Sequence, residues 1–356
     1  MESLKKIQLP QQVLVGNNLF ENFYSVLSEF YDDSNIAIIC GKKTQELVKE
    51  KMIPGLQKNK AKYNIFLCCE SSKEEVDRIK SQIQNNYNVV FGVGGGKNID
   101  VAKLIAYELN LDFISIPTAP SHDGIASSFA SIKKNGRKYS IKTKPPLTII
   151  CDVKIIKKAD KRFFASGFCD AYSNFIATAD WNLAKKDKDE YFGNYAYELS
   201  RVSSLLVLKN IDSIVSQSEE GTRTLLEALI SGGIAMEIAG SSRPCSGSEH
   251  LIAHAIDLYN SNFLHGEAVG IGTLICAYLH KYNWKKVKTN LQIVNVPLDI
   301  LNDSGLMKKI FETAKKIGIE RNRYTILDKT SEREFEECLK NISDDNRLCA
   351  KRANQI

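Results

Sequence analysis

Residues 88–100 read Asn88-Val89-Val90-Phe91-Gly92-Val93-Gly94-Gly95-Gly96-Lys97-Asn98-Ile99-Asp100. A short apolar run ends in glycines, and a helical pattern starts directly after them. Glycines let backbone N–H groups come close to an anion, and a helix N-terminus adds partial positive charge. A pyrophosphate suits such a turn. The run is not the G-x-G-x-x-G dinucleotide fingerprint, because Lys97 or Ile99 replaces the third glycine, depending on where counting starts. Nor is it a P-loop, since the Gly-Lys-Ser/Thr ending is missing. A tight strand–helix turn alone would call for the same glycines.

Outward from this turn, short apolar runs alternate with helical patterns, the signature of a parallel α/β sheet. Residues 35–40, 64–68, 88–92, 112–116 and 147–151 read as strands. Residues 44–52 and 98–108 read as helices, and Ser72-x-x-Glu75 reads as a capping box opening a helix to about Gln84. Pro117 and Pro120 stop one strand and hold the next segment extended. Residues 125–139 resemble a β-hairpin with Asn135-Gly136 at its turn. A second polar turn, Thr118-Ala119-Pro120-Ser121-His122-Asp123-Gly124, follows a strand beside the glycine turn. Ligands of open parallel sheets bind at such carboxyl ends, which strengthens the phosphate reading. From Arg162 onward the periodicity is helical, most clearly over residues 225–239 and 249–258. These patterns predict an α/β domain over residues 1–156 and an all-helical domain over residues 157–356.

Composition sets the limits. The 356 residues are 43% hydrophobic and 25% charged, which excludes a disordered chain, a collagen and a coiled-coil rod. Lys plus Arg is 48 and Asp plus Glu is 42, a net charge of +6. That excess is mild and evenly spread, and no nucleic-acid-binding signature accompanies it. The 9 cysteines are irregularly spaced and form no C-x-x-C, so a disulfide framework and a Cys-rich zinc module are not expected. Reduced thiols, no apolar leader over residues 1–16 and no apolar run of about 20 residues predict a cytoplasmic protein without a membrane span.

Only 5 histidines occur, and three of them cluster as His250, His254 and His265. Ser246-x-x-Glu249 reads as a capping box, which puts His250 in the first turn of a helix and His254 on the same face. A catalytic zinc needs three protein ligands and an open position, so two histidines and one carboxylate suffice. The order is not H-E-x-x-H, because Glu249 precedes the first histidine. Spacing does not choose the carboxylate. Asp170 lies in an otherwise apolar helical stretch, where a cation would offset its burial, although an N-cap or an exposed acid would look the same. His122 fits either a turn or the ligand cleft, and His280 reads as an ordinary helix-end residue.

In order, the segments G-V-G-G-G-K-N-I-D (92–100), P-T-A-P-S-H-D-G-I-A-S (117–127), G-F-C-D (167–170), S-R-P-C-S-G-S-E-H-L-I-A-H (242–254) and L-H-G-E (264–267) resemble the sn-glycerol-1-phosphate dehydrogenases. Those belong to the wider group of dehydroquinate synthases, glycerol dehydrogenases and iron-containing alcohol dehydrogenases. The resemblance covers about residues 10–340. The glycine run and L-H-G-E are common to the whole group; the S-H-D-G and S-R-P segments are more specific.

The resemblance implies a Rossmann-like domain, a helical domain and an active site between them. It implies reversible reduction of dihydroxyacetone phosphate to sn-glycerol 1-phosphate with NADH or NADPH, for archaeal-type membrane lipids. Zinc would sit on Asp170, His250 and His265, though nickel or iron suits the same donors. Asp123, Asp170 and His254 would contact the substrate, with His254 and Asp123 as catalytic groups and His254 the proton donor. Gly94, Gly95, Gly96, Lys97, Asn98, Ile99, Asp100, Thr118, Ala119, Pro120, Ser121 and Ser127 would hold the cofactor. Arg243 matches a phosphate-contacting arginine of the dehydroquinate synthases, with Lys142 and Lys144 as weaker candidates. No acid stands in Gly41-Lys42-Lys43-Thr44 after the first central strand, which predicts tolerance of a 2′-phosphate. A homo-oligomer is expected. The alternatives are a polyol dehydrogenase, a dehydroquinate-synthase-like lyase that returns its cofactor unchanged, and a non-catalytic scaffold without need of stoichiometric metal.

Overall fold

In the computed structural model, backbone is described for residues 5–22, 35–83 and 86–353, and side chains to residue 344. Six parallel strands form one sheet: β1 (Gln12–Gly16), β2 (Asn35–Cys40), β3 (Lys62–Leu67), β4 (Val89–Gly94), β5 (Asp112–Pro117) and β8 (Thr148–Asp152). Their order across the sheet is β1-β8-β5-β4-β2-β3. Successive side chains of a strand face opposite sides. Accordingly Ile36, Ile38, Cys40, Val89, Phe91 and Val93 pack in a core on one face, while Ala37, Ile39 and Val90 pack on the other. Burial on both faces explains why these strands read as continuous apolar runs.

The order runs outward from β2 to β3 and, on the other side, from β4 to β5. The carboxyl ends of β2 and β4 therefore flank a topological switch point, where such sheets bind ligands. The glycine turn stands there. A separate antiparallel hairpin, β6 (Phe129–Lys134) and β7 (Arg137–Lys142), leaves the sheet after the second polar turn. Asn135 and Gly136 both have positive φ, 50° and 79°, as a two-residue type I′ turn requires.

Several expectations need correction. The strand β1 carried no clear signal; it pairs parallel to β8 from Gln12 to Gly16. The helix read over residues 44–52 is an α-helix Lys42–Leu47, a π turn Val48–Met52 and a further helix Ile53–Lys58. Ser72 caps the helix Lys73–Gln82 through its hydroxyl, but Glu75 does not reach back. Its carboxylate accepts from the Cys69 N–H and from Arg78 instead. Gln84 lies outside the described residues.

Every described element after Asp152 is helical. The helices Lys161–Tyr172, Glu219–Ala239, Ser248–Tyr259 and His265–Leu279 bury one continuous core. Ile149 and Cys151 of β8 and Ile125 of the second polar turn join that core, so the sheet edge and the helical part are packed together. No described helix is long and apolar enough to cross a membrane.

Candidate active site

A cleft of about 1180 Å³ separates the strands' carboxyl ends from the helices. Gly95, Gly96, Lys97 and Asn98 line one wall. Gly94 has φ of 142°, and a Cβ there would meet Asn98 Nδ2 at 2.1 Å, so only glycine lets the chain turn at this point. Gly95 is the N-cap of the helix Gly96–Leu109 and has no side chain to satisfy the first N–H groups. A Cβ on Gly95 would have nothing within 4 Å. Open space over unsatisfied helix donors is a cradle for a pyrophosphate. Lys42, Lys43 and Thr44 line the same cleft, with no acid among them.

The second polar turn crosses below. Thr118, Ala119, Ser121, His122, Asp123 and Ser127 all face the cleft. The sequence-selected residues divide here. Ile99 points into the sheet core, and Pro120 has no N–H and lies outside the cleft lining. Asp100 borders the cleft but is buried beside Lys103, whose Nζ lies 3.7 Å from Asp100 Oδ1. Lys103 Nζ donates to Gly124 O at 2.7 Å and to Phe129 O at 2.8 Å. This fully buried lysine, missed in the sequence, ties the glycine-turn helix to the Asp123 turn. Burial pushes its pKa down against the pull of Asp100 and Asp123. Lys103→Met should cost about 3–5 kcal/mol of folding stability by leaving Asp100 and two carbonyls unpaired. A loss under about 1 kcal/mol in urea unfolding would contradict that reading.

At the cleft's inner end Asp170, His250 and His265 bring one ligand atom each to within 4.8 Å of one another. Asp170 Oδ1 lies 3.6 Å from His250 Nε2 and 3.6 Å from His265 Nε2. Those separations are too long for hydrogen bonds. A tetrahedral ion with bonds of about 2.0–2.1 Å holds its ligand atoms about 3.3–3.4 Å apart. The donor set therefore fits a divalent metal. Asp170 Oδ2 accepts from the Asp123 N–H at 2.8 Å, and Glu249 Oε1 lies 2.8 Å from His250 Nδ1. A carboxylate on Nδ1 leaves Nε2 free to ligate, the usual outer-shell arrangement. Burial would depress His250, but the carboxylates of Asp170 and Glu249 on either side raise it to about 10. Two negative groups on one imidazole are what a cation in the cluster would balance.

The Ser246–Glu249 capping box is not formed. Gly247 is the N-cap, and the Glu249 carboxylate accepts from the Gly247 N–H at 2.7 Å. Asp180 does the anchoring that the box was expected to do. Its Oδ2 accepts from the Ser248 N–H at 2.7 Å, and its Oδ1 accepts from the Ile326 N–H at 2.8 Å and from His280 Nε2 at 3.0 Å. His280, read as an ordinary helix end, is thus part of the support for the metal-cluster helix. His254 lies one turn beyond His250 and faces the cleft with His265. Burial, then Arg321 and the neighbouring histidines, hold it well below its ordinary pKa. A neutral imidazole at pH 7 can relay a proton but does not store one as the imidazolium. Asp123 is pushed far above the usual carboxylate range by burial and by Asp170.

Arg243 needs correction. It is buried at 4% exposure, and its Nε donates to Glu190 Oε1 at 2.6 Å, with Nη2 on the other carboxylate oxygen. Nη1 donates to Tyr324 O at 2.9 Å. The side chain is fully engaged and does not line the cleft. Lys142 and Lys144 also point elsewhere, to Gly240 O and Asn110 Oδ1. The arginines that do line the cleft are Arg321 and Arg323.

Among solved structures, glycerol dehydrogenase from Schizosaccharomyces pombe superposes with a TM-score of 0.83 at 20% identity, covering 100% of this chain and 94% of that one. An iron-containing alcohol dehydrogenase from Thermotoga maritima gives 0.68 at 15% identity, covering 96% and 99%. These likenesses establish the fold. The family model for iron-containing alcohol dehydrogenase matches residues 14–160. Sequence relatives named glycerol-1-phosphate dehydrogenase (NAD(P)+) are more similar. That of Thermococcus sibiricus is 43% identical over 328 residues, 91% of this chain and 93% of its own length. That of Methanosarcina mazei is 40% identical over 331 residues, 91% and 92%. Identity at this level over nearly the whole length of both chains carries more than a shared fold, and the chain belongs to the glycerol-1-phosphate dehydrogenase family.

Proposed function

We propose that the protein reduces dihydroxyacetone phosphate to sn-glycerol 1-phosphate, reversibly, using NADH or NADPH and one bound zinc ion. One observation carries this reading: the uncapped glycine turn lines the same cleft as His250 and His265, the two histidines grouped with buried Asp170. The family's activity, as its members' names give it, needs a nicotinamide cofactor, and the metal cluster adds a Lewis acid beside the cofactor site. When bound, the metal polarises the substrate carbonyl and stabilises negative charge on its oxygen.

The chain's own residues do the rest. Gly95, Gly96 and Lys97 bind the cofactor's pyrophosphate by backbone donors, with Asn98, Ser121 and Ser127 lining the same cleft. Glu249 orients His250, and the Asp123 N–H orients Asp170. The Asp123 carboxyl, buried beside the metal cluster, is the group that moves a proton at the substrate hydroxyl. His254 acts as a neutral relay between that hydroxyl and solvent. The absence of an acid among Lys42, Lys43 and Thr44 suits both NADH and NADPH.

The test is oxidation of NADH and of NADPH by the purified protein with dihydroxyacetone phosphate, before and after chelation. Turnover should vanish with chelator and return with zinc, and a chiral assay should give the sn-1 product. Turnover on glycerol but none on the phosphate ester, with zinc bound, would overturn the substrate assignment.

A further inference from the structure

Arg321 and Arg323 come from a turn between the helix Ser304–Glu320 and the short helix Ile326–Lys329. Both line the cleft on the wall that carries His250 and His254. Arg323 Nη1 donates to Ser246 O at 2.6 Å, and Nη2 donates to Ser242 Oγ at 2.9 Å. That grips the loop which leads directly into the His250 helix. Arg321 Nη2 donates to Lys138 O at 3.3 Å. Among the described residues, neither guanidinium has a carboxylate within ion-pair distance. Glu190 is taken by Arg243, and Glu320 stands 3.9 Å from Arg137. Lys138 of the hairpin strand β7, whose carbonyl accepts from Arg321, also lines the cleft but is already paired with Asp257 at 2.7 Å.

Both side chains are half-buried, and a guanidinium partly withdrawn from water without a counter-charge is costly, the more so with a second one beside it. Burial, with Arg243 and Arg321, lowers Arg323 to about 10 against the pull of Glu190 and Glu249, so the nearby carboxylates offset its charge only in part. A ligand anion would. We propose that Arg321 and Arg323 form the subsite for the substrate's phosphate, a phosphate monoester dianion held at the end of the cleft beside His254. Two fixed positive charges match the dianion. Each guanidinium keeps N–H groups beyond those bound to Ser242, Ser246 and Lys138, and a planar fork suits phosphate oxygens. The subsite lies on the helical wall, across the cleft from the glycine turn that suits the cofactor's pyrophosphate. Substrate and cofactor phosphates would thus be held on separate walls, and phosphate binding would orient the carbonyl toward the metal cluster. This inference rests on the function proposed above and specifies what selects its substrate.

The experiment compares Arg321→Ala, Arg323→Ala and Arg323→Lys with the unmodified enzyme in the zinc-loaded state. Measured are kcat/KM for dihydroxyacetone phosphate and for dihydroxyacetone, KM for NADH and NADPH, and inhibition by inorganic phosphate. Each alanine variant should lose about a hundredfold in kcat/KM for the phosphorylated substrate, mostly through KM. Turnover of dihydroxyacetone by Arg321→Ala should change less than about threefold, phosphate inhibition should weaken in parallel, and Arg323→Lys should recover part of the loss seen in Arg323→Ala. Equal losses on both substrates with Arg321→Ala, or a rise in KM for NADPH instead, would overturn the subsite. If Arg323→Ala does not fold, Arg321→Ala and Arg323→Lys decide alone. An unmodified enzyme that ignores dihydroxyacetone phosphate would instead overturn the proposed function itself, so the two failures are distinct.

Discussion

Asp170→Asn should leave the protein folded, without stoichiometric metal, and at least about a thousandfold slower in kcat with dihydroxyacetone phosphate. Asp170 supplies the cluster's only carboxylate ligand, with Oδ1 equidistant from His250 and His265. Asparagine keeps the volume and can still accept the Asp123 N–H through its carbonyl oxygen, so the local backbone has no reason to move. What disappears is the negative charge that offsets a divalent cation at a site only 3% exposed. Lewis-acid stabilisation is worth several kcal/mol, and each 1.4 kcal/mol is tenfold in rate. Elemental analysis gives metal per chain, and steady-state kinetics give kcat. Full metal occupancy, or a kcat within tenfold of the unmodified enzyme, would remove Asp170 from the metal site.

A second large effect is expected from Gly167→Ala, far from any ligand by chemistry but not by geometry. Gly167 lies on the helix Lys161–Tyr172, three positions before Asp170. A Cβ on it would stand 1.8 Å from the carbonyl oxygen of Pro120. That atom is backbone, so no side-chain rotation relieves the clash. The helix that carries Asp170 and the turn that carries Thr118, Ser121 and Asp123 would be forced apart. Ser166 Oγ, which donates to Ser121 O at 2.9 Å, would lose its partner in the same movement. Overpacking of a tight contact costs about 1–3 kcal/mol, and here it also displaces the two halves of the site. Thermal unfolding should show the stability loss, and kcat should fall about a hundredfold even in the fraction that remains folded. Unchanged melting and turnover would mean that the helix and the turn are free to slide.

Much of this protein is readable from short stretches. Asn35–Cys40 and Val89–Gly94 are buried on both faces, so their apolar runs announce parallel strands. Asn135-Gly136 announces its hairpin because few other pairs tolerate positive φ at both positions. The glycine turn and the His250/His254 spacing are local as well, and motifs spread over the chain led to the family that the relatives support.

The misreadings have a common cause. Strand β1 is half-exposed at the sheet edge, so its five residues lack the apolar contrast of the inner strands. Glu75 and Glu249 stand where capping boxes would use them, yet Arg78 and the Cys69 N–H capture one, and Gly247 and His250 capture the other. Lys103 looks like one lysine among many until the fold seals it against Gly124 and Phe129. Arg243 resembled a phosphate ligand by its place before His250. Its role is decided by Glu190, 53 positions earlier, whose carboxylate satisfies it inside the protein.

By itself, then, the sequence determined the inner strands and most helices, the glycine turn and the donor types of a candidate metal site, because each depends on neighbours a few residues apart. Only the tertiary structure decided which charges are cancelled and which stay available in the cleft. Charge compensation acts through space, between Arg243 and Glu190, and in its absence at Arg321 and Arg323 among the described residues. The energy of a buried charge depends on what the fold places within a few ångströms of it, and that has no fixed spacing along the chain.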